Sequence, residues 1–154
     1  MPTATVQDQI TRVVTYPVSQ ERLWKAVTER EQLEQWFGPS KIEMDARAGG
    51  EMFFAFSGGQ TSRAVIDEIH PMDRFVWKWK AAGADDKTKA LLDQDSITTI
   101  SFLLRPVDGG TELTITEVGF AAIRPQSEAE ISYPEHIEGW DHMVTQLNGY
   151  LANG

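Results

Sequence analysis

Residues 138–154 read EGWDHMVTQLNGYLANG, and Trp140, Met143, Val144, Leu147, Tyr150 and Leu151 recur there in steps of three and four. That spacing is the apolar stripe of an amphipathic α-helix. It is the only long amphipathic element in a chain whose middle is dominated by alternating strands. An antiparallel sheet with one apolar face needs a cover. The closing helix is the only segment able to supply it, so the expected fold is α+β, a sheet wrapped on one long C-terminal helix.

The strands are legible from their period. FVWKWK puts Phe75, Trp77 and Trp79 on one face and Val76, Lys78 and Lys80 on the other, the clearest two-residue alternation in the chain. QITRVVTY, KIEMDA, EMFFAF and TSRAVIDEI read as further strands, with Met52, Phe54 and Phe56 sharing a face in EMFFAF. SITTISFLL and TELTITEVGF form a hairpin around Arg105 to Gly110. On the first, Thr98, Ile100, Phe102 and Leu104 share a face; on the second, Leu113, Ile115, Glu117 and Gly119 do. Glycine-rich turns separate these runs, SGGQ among them. Between the first strand and the rest lie two short helices. Ser19 can cap the first, and Gly38–Pro39 stops the second, whose Leu33, Trp36 and Phe37 lie together. The expectation is about seven strands in one domain, residues 1–154 with a core of 8–152. The polar stretch 81–95 reads as a long loop, either a lid or a solvated insertion. RPQSEAEISYPE reads as a polar connection, with the final helix starting at Ser127 or Pro134 and ending at Leu151.

Composition excludes several classes. With 23 acidic against 14 basic residues the formal charge is −9, which opposes binding to nucleic acid or an anionic membrane. There are no cysteines, so disulfides, thiolate metal sites and a cysteine nucleophile are ruled out. No apolar run reaches the ~18 residues of a membrane span, and the N-terminus lacks the pattern of a signal peptide. The expected location is cytoplasmic, and the expected state a monomer or homodimer.

Catalytic motifs are scarce. His136 and His142 are six apart and point to different sides of a helix, while Glu138 and His142 share a side, but two ligands do not make a metal site. FGPSK and FSGGQ are not nucleophile elbows, and no P-loop is present. No metal or cofactor is expected. Two other signals stand out. Five tryptophans, at 24, 36, 77, 79 and 140, are many for a small domain, and ligand pockets favour aromatic walls; the plain alternative is a Trp-rich core. Glu117 falls on the inward face, where a lone carboxylate costs several kcal/mol. Three readings stay open: an ion pair with inward Arg12, a place beside a ligand in a wet cavity, or a position at the sheet edge.

Taken together, YPVSQERLWKAVTE, LEQWFGP, AGGEMFFAF, VIDEIHPMDRFVWKW, GGTELTITEVGF and HIEGWDHMVTQLNGYL resemble the family related to the C-terminal domain of the activator of the Hsp90 ATPase. That family lies in the START / Bet v 1-like (SRPBCC, helix-grip) superfamily. The resemblance covers about residues 8 to 152 and implies a curved sheet gripping the last helix, with a cavity between them. It supplies no catalytic residue, and where relatives often carry histidine this chain has Glu117. The favoured function is binding of a hydrophobic or aromatic small molecule by Trp36, Phe54, Phe56, Trp77, Trp79, Phe102, Glu117, Trp140 and Met143. The alternatives are a polyketide cyclase- or hydrolase-type cavity enzyme using Glu117, and, less favoured, an Hsp90-interacting co-chaperone-like domain.

Overall fold

The structure, a computed structural model, describes residues 6–39, 41–56, 59, 61–80, 97–123 and 126–153. The stretch 81–95, read above as a loop or lid, lies outside them. Along the chain come β1 (Gln9–Tyr16), α1 (Gln20–Thr28), α2 (Arg30–Trp36), β2 (Lys41–Met44), β3 (Glu51–Ala55), β4 (Thr61–His70), β5 (Arg74–Lys80), β6 (Ile97–Val107), β7 (Gly110–Val118), a 3-10 turn (Phe120–Ala122) and α3 (Gln126–Asn153).

All seven strands join one antiparallel sheet in the order β1-β7-β6-β5-β4-β3-β2. Only β1 leaves sequence order, because α1 and α2 carry the chain from one sheet edge to the other. The sheet curves around α3 in the expected α+β helix-grip arrangement. In β6 and β7 Thr98, Ile100, Phe102, Leu104, Leu113, Ile115 and Glu117 are buried as predicted, whereas Gly119, expected on the same face, lies past the end of β7 and is only half-buried. In β4 the register slips between Ile66 and Glu68, a bulge that bends the sheet locally.

Ser19 caps α1 as its residue type predicts, accepting a hydrogen bond from the Arg22 N–H. Trp36 at the end of α2 donates its indole N–H to the Ala26 carbonyl at 2.8 Å. That bond ties the two short helices together. Gly38 follows with φ +109°, a value that favours glycine, and turns the chain toward β2.

Helix α3 starts earlier than one of the two expected starts. It begins at Gln126 and carries Pro134 inside it. Most of the segment read as a polar connection is therefore helical. An internal proline removes one backbone hydrogen bond, but Ala129, Ser132 and Tyr133 upstream of it are buried. Tyr133 also packs edge-on against Phe120, with ring centroids 5.3 Å apart. Tertiary packing thus holds the first turns onto the sheet. At the other end Leu147 and Leu151 seal the core, and the Tyr16 hydroxyl donates to the Val144 carbonyl at 3.0 Å. No helix among the described residues is long and apolar enough to cross a membrane.

Candidate functional site

On α3, residues 135, 139 and 143 form one i, i+4 row and residues 136 and 140 the next, so these five share a side of the helix. They form one wall of a cavity of about 280 Å³. The sheet side supplies Ser62 and Trp79; Phe37, just past α2, and Phe56, just past β3, complete the lining. The walls are mostly apolar, with Ser62, Glu135 and His136 as the polar groups.

Behind this wall stands Glu117, fully buried on β7 and absent from the lining. Its Oε1 accepts from the Trp140 indole N–H at 2.7 Å and from His136 Nδ1 at 2.8 Å. Its Oε2 accepts from the Thr98 hydroxyl at 2.5 Å and the Trp79 indole N–H at 3.1 Å. An indole N–H only donates. Each carboxyl oxygen faces one indole, so both oxygens accept, an arrangement that favours the ionised form. Burial pushes the Glu117 pKa up, but the hydrogen bond and charge of His136, with the hydrogen bonds of Thr98 and Trp140, outweigh it and hold the carboxyl below its ordinary range. Against an ionised Glu117, His136 Nδ1 is the donor of this pair.

The imidazole is also fixed from its sides. Trp79 meets it edge-on at 6.2 Å and Phe120 at 5.3 Å, both with interplanar angles of 83°. One buried carboxylate therefore orients three wall residues, Trp79, His136 and Trp140, that come from β5 and α3.

Of the residues singled out from sequence, Phe56, Trp79, Trp140 and Met143 line the cavity. Trp36, Phe54, Trp77 and Phe102 do not; they are buried in the core. Phe54, Trp77 and Trp79 pack as a ring cluster around Phe37. Trp77 Nε1 finds no acceptor among the described residues. Glu117 does not pair with Arg12, which bonds Asp141 of α3 at 2.6 Å instead. Nor is it at an open sheet edge, since β7 lies between β1 and β6.

Phe37, Ser62, Glu135, His136 and Gly139 were not anticipated as lining residues. His136 carried a usable signal: it sits four residues before Trp140, hence on the same side of α3, opposite an inward carboxylate. Among the described residues no group of three His, Cys, Asp or Glu could hold a metal ion.

Comparison with known proteins agrees with the geometry. Similar solved structures include protein MLL2253 from Mesorhizobium loti, at 19% identity and TM-score 0.76, covering 94% of this chain and 97% of that one. Protein NE0264 from Nitrosomonas europaea matches at 22% identity and TM-score 0.73, covering 95% of both chains. DynU16, a putative protein in the dynemicin biosynthetic locus, matches at 23% identity and TM-score 0.74; the match covers 95% of this chain and 48% of DynU16. At these identities the likeness establishes the fold alone, the sheet-and-helix grip described above. No protein of curated function matches the sequence. The family described as activator of Hsp90 ATPase homolog 1-like protein matches residues 17–152, and the chain belongs to that family.

Proposed function

We propose that this protein binds a small apolar or aromatic molecule between the sheet and α3. The observation that carries the proposal is the cavity wall of Phe37, Phe56, Trp79, Trp140 and Met143. The indole N–H groups of Trp79 and Trp140 are engaged by Glu117, so these rings offer an occupant mainly apolar carbon. The volume of about 280 Å³ is near the low end of the range of about 300–1,000 Å³ for small-molecule sites. It suits a molecule of one or two rings. The description of DynU16 as a putative protein in a biosynthetic locus is in keeping with a small-molecule ligand.

Gly139 provides the test. It lines the cavity, and a Cβ built there meets nothing within 4 Å. Gly139→Phe should fill the cavity without backbone strain, and replacing a mid-helix glycine removes an entropic cost of roughly 0.5–1 kcal/mol. Titration of the wild type with a panel of indoles, naphthols and alkylbenzenes should change tryptophan fluorescence and raise Tm. Gly139→Phe should abolish both responses while remaining folded. No response from any panel member, or unchanged binding in Gly139→Phe, refutes the assignment.

A further inference from the structure

We infer, resting on this binding reading, that the cavity's occupant is a small organic cation: a protonated or quaternary ammonium group carried on a single ring. Three observations converge. Four aromatic rings line the cavity and reach it from different parts of the chain: Phe37 just past α2, Phe56 just past β3, Trp79 of β5 and Trp140 of α3. The Glu135 carboxylate stands in the same lining, where the described residues supply no Lys or Arg. A second carboxylate, Glu117, lies directly behind the two indoles.

An aromatic ring is electron-rich over its face and electron-poor at its edge, and it attracts a cation held over the face. The N–H is the most electropositive edge of an indole. In Trp79 and Trp140 that edge is turned away from the occupant, because both N–H groups donate to Glu117, which is absent from the lining. A negative charge bonded at the N–H also raises the electron density that a cation meets on the rest of the ring. Phe37 stacks on Trp79 at 6.3 Å and tilts against Trp140 at 6.1 Å. These rings are therefore packed on one another before a ligand enters, which limits the ordering cost of binding.

Charge favours the same occupant. Glu117 is fully buried, so water screens it weakly. An imidazolium at His136 would offset one of the two carboxylates and leave the other. Glu135 is exposed and marks the side on which the cavity meets water. Among the described residues nothing donates a hydrogen bond to it or pairs with its charge. Its pull is screened at that position, so the rings supply most of the preference and Glu135 a smaller share. The chain's formal charge of −9 further concentrates cations near the surface. An anion would meet the reverse of each effect. The volume of about 280 Å³ leaves room for one ring with a trimethylammonium head.

Phenyltrimethylammonium, tert-butylbenzene and benzenesulfonate are the probes. Each has one benzene ring and a tetrahedral head, and the head is positive, neutral or negative. Titration of the protein with each is followed by tryptophan fluorescence and by Tm. The ammonium should bind at least about 10-fold more tightly than tert-butylbenzene, and benzenesulfonate should give no response. Glu135→Gln should narrow the ratio of the first two affinities about 3-fold. Phe56→Leu keeps an apolar side chain without a ring and should narrow it about 2- to 5-fold. Gly139→Phe should abolish the response to both. Equal or tighter binding of tert-butylbenzene or of benzenesulfonate overturns the cation assignment while leaving the binding reading intact. An ammonium response that survives Gly139→Phe lies on the acidic surface and overturns the assignment as well. A ratio that neither Glu135→Gln nor Phe56→Leu changes does the same. If none of the three probes produces a response, both readings fall, since a single-ring molecule would then not enter the cavity.

Discussion

Replacing Glu117 by glutamine changes only one carboxyl oxygen into an NH₂ group, yet the surrounding donors cannot all adapt. If the NH₂ takes the Oε1 place, it faces the N–H of Trp140; if it takes the Oε2 place, it faces the N–H of Trp79. Thr98 can turn its hydroxyl to accept and His136 can change tautomer, but an indole cannot accept. Either orientation strands one buried indole N–H, at about 1–3 kcal/mol, and the surviving bonds lose their charge assistance. The expected loss is about 3 kcal/mol, or roughly 6–12 °C in Tm for a chain of this size. Urea denaturation should show a lower midpoint at unchanged m. A second substitution sharpens the test. Trp79→Phe removes one of the two indole donors, so the amide can turn its NH₂ to that side and strand neither; the double variant should be more stable than the sum of the single losses by about 1–3 kcal/mol. Acid adds a further signature. The folded-state pKa of Glu117 lies below its ordinary value, against about 4.3 in the unfolded chain. The carboxylate's contribution is therefore complete above that unfolded value and lost as pH falls through the folded one. The stability gap between wild type and Glu117→Gln should close in the same direction. A Glu117→Gln protein within about 0.5 kcal/mol of wild type, or a strictly additive double variant, would refute the claim that both oxygens hold obligate donors.

Burial pushes the Tyr16 phenol well above its ordinary pKa. Its contribution is present below the unfolded value of about 10 and is lost as pH rises toward the folded one, so stability should decline in alkali. Tyr16→Phe should remove that slope and cost about 1 kcal/mol for the bond to Val144, as measured by urea midpoints between pH 8 and pH 11. Asp141→Asn breaks the Arg12 pair, whose side chains are 30% and 57% exposed. It should cost less than about 1 kcal/mol and matter less at high salt; a larger, salt-independent loss would contradict a solvent-screened pair. Gly119 has φ +116°, and a Cβ there would lie 2.9 Å from the Ile97 carbonyl oxygen. Gly119→Ala should cost at least about 1–2 kcal/mol, and thermal melts showing no loss would argue against strain at this turn.

Much of the architecture was legible because strand and helix periods are local properties. Thr98, Ile100, Phe102 and Leu104 alternate in the sequence and are buried together in the structure. The start of α3 was harder to read. Pro134 looks like a helix boundary, and only the burial of Ala129, Ser132 and Tyr133 keeps the helix running through it. At the site, period two placed Glu117 inward but could not identify its partners. Those come from β5, β6 and α3, brought together only by the curvature of the sheet. The same limit explains the aromatic residues. Trp77 and Trp79 share a strand face, yet Trp77 is buried among Phe75, Phe102 and Phe37 while Trp79 reaches the cavity. How far along a strand the core gives way to open space is a three-dimensional property with no periodic trace. In the sequence His136 suggests only a metal ligand without companions. One companion it does have is a carboxylate on a distant strand.

The two indoles anchored on one carboxylate also make the cavity optically self-reporting. On excitation, indole moves electron density from its pyrrole ring toward its benzene ring. A negative charge held beside the pyrrole nitrogen stabilises that excited state and shifts the emission to the red. Trp79 and Trp140 each carry such a charge at hydrogen-bonding distance. Neutralising Glu117 with acid should therefore move their emission to the blue, so the ionisation state at the centre of this fold is readable in a fluorimeter with no label attached.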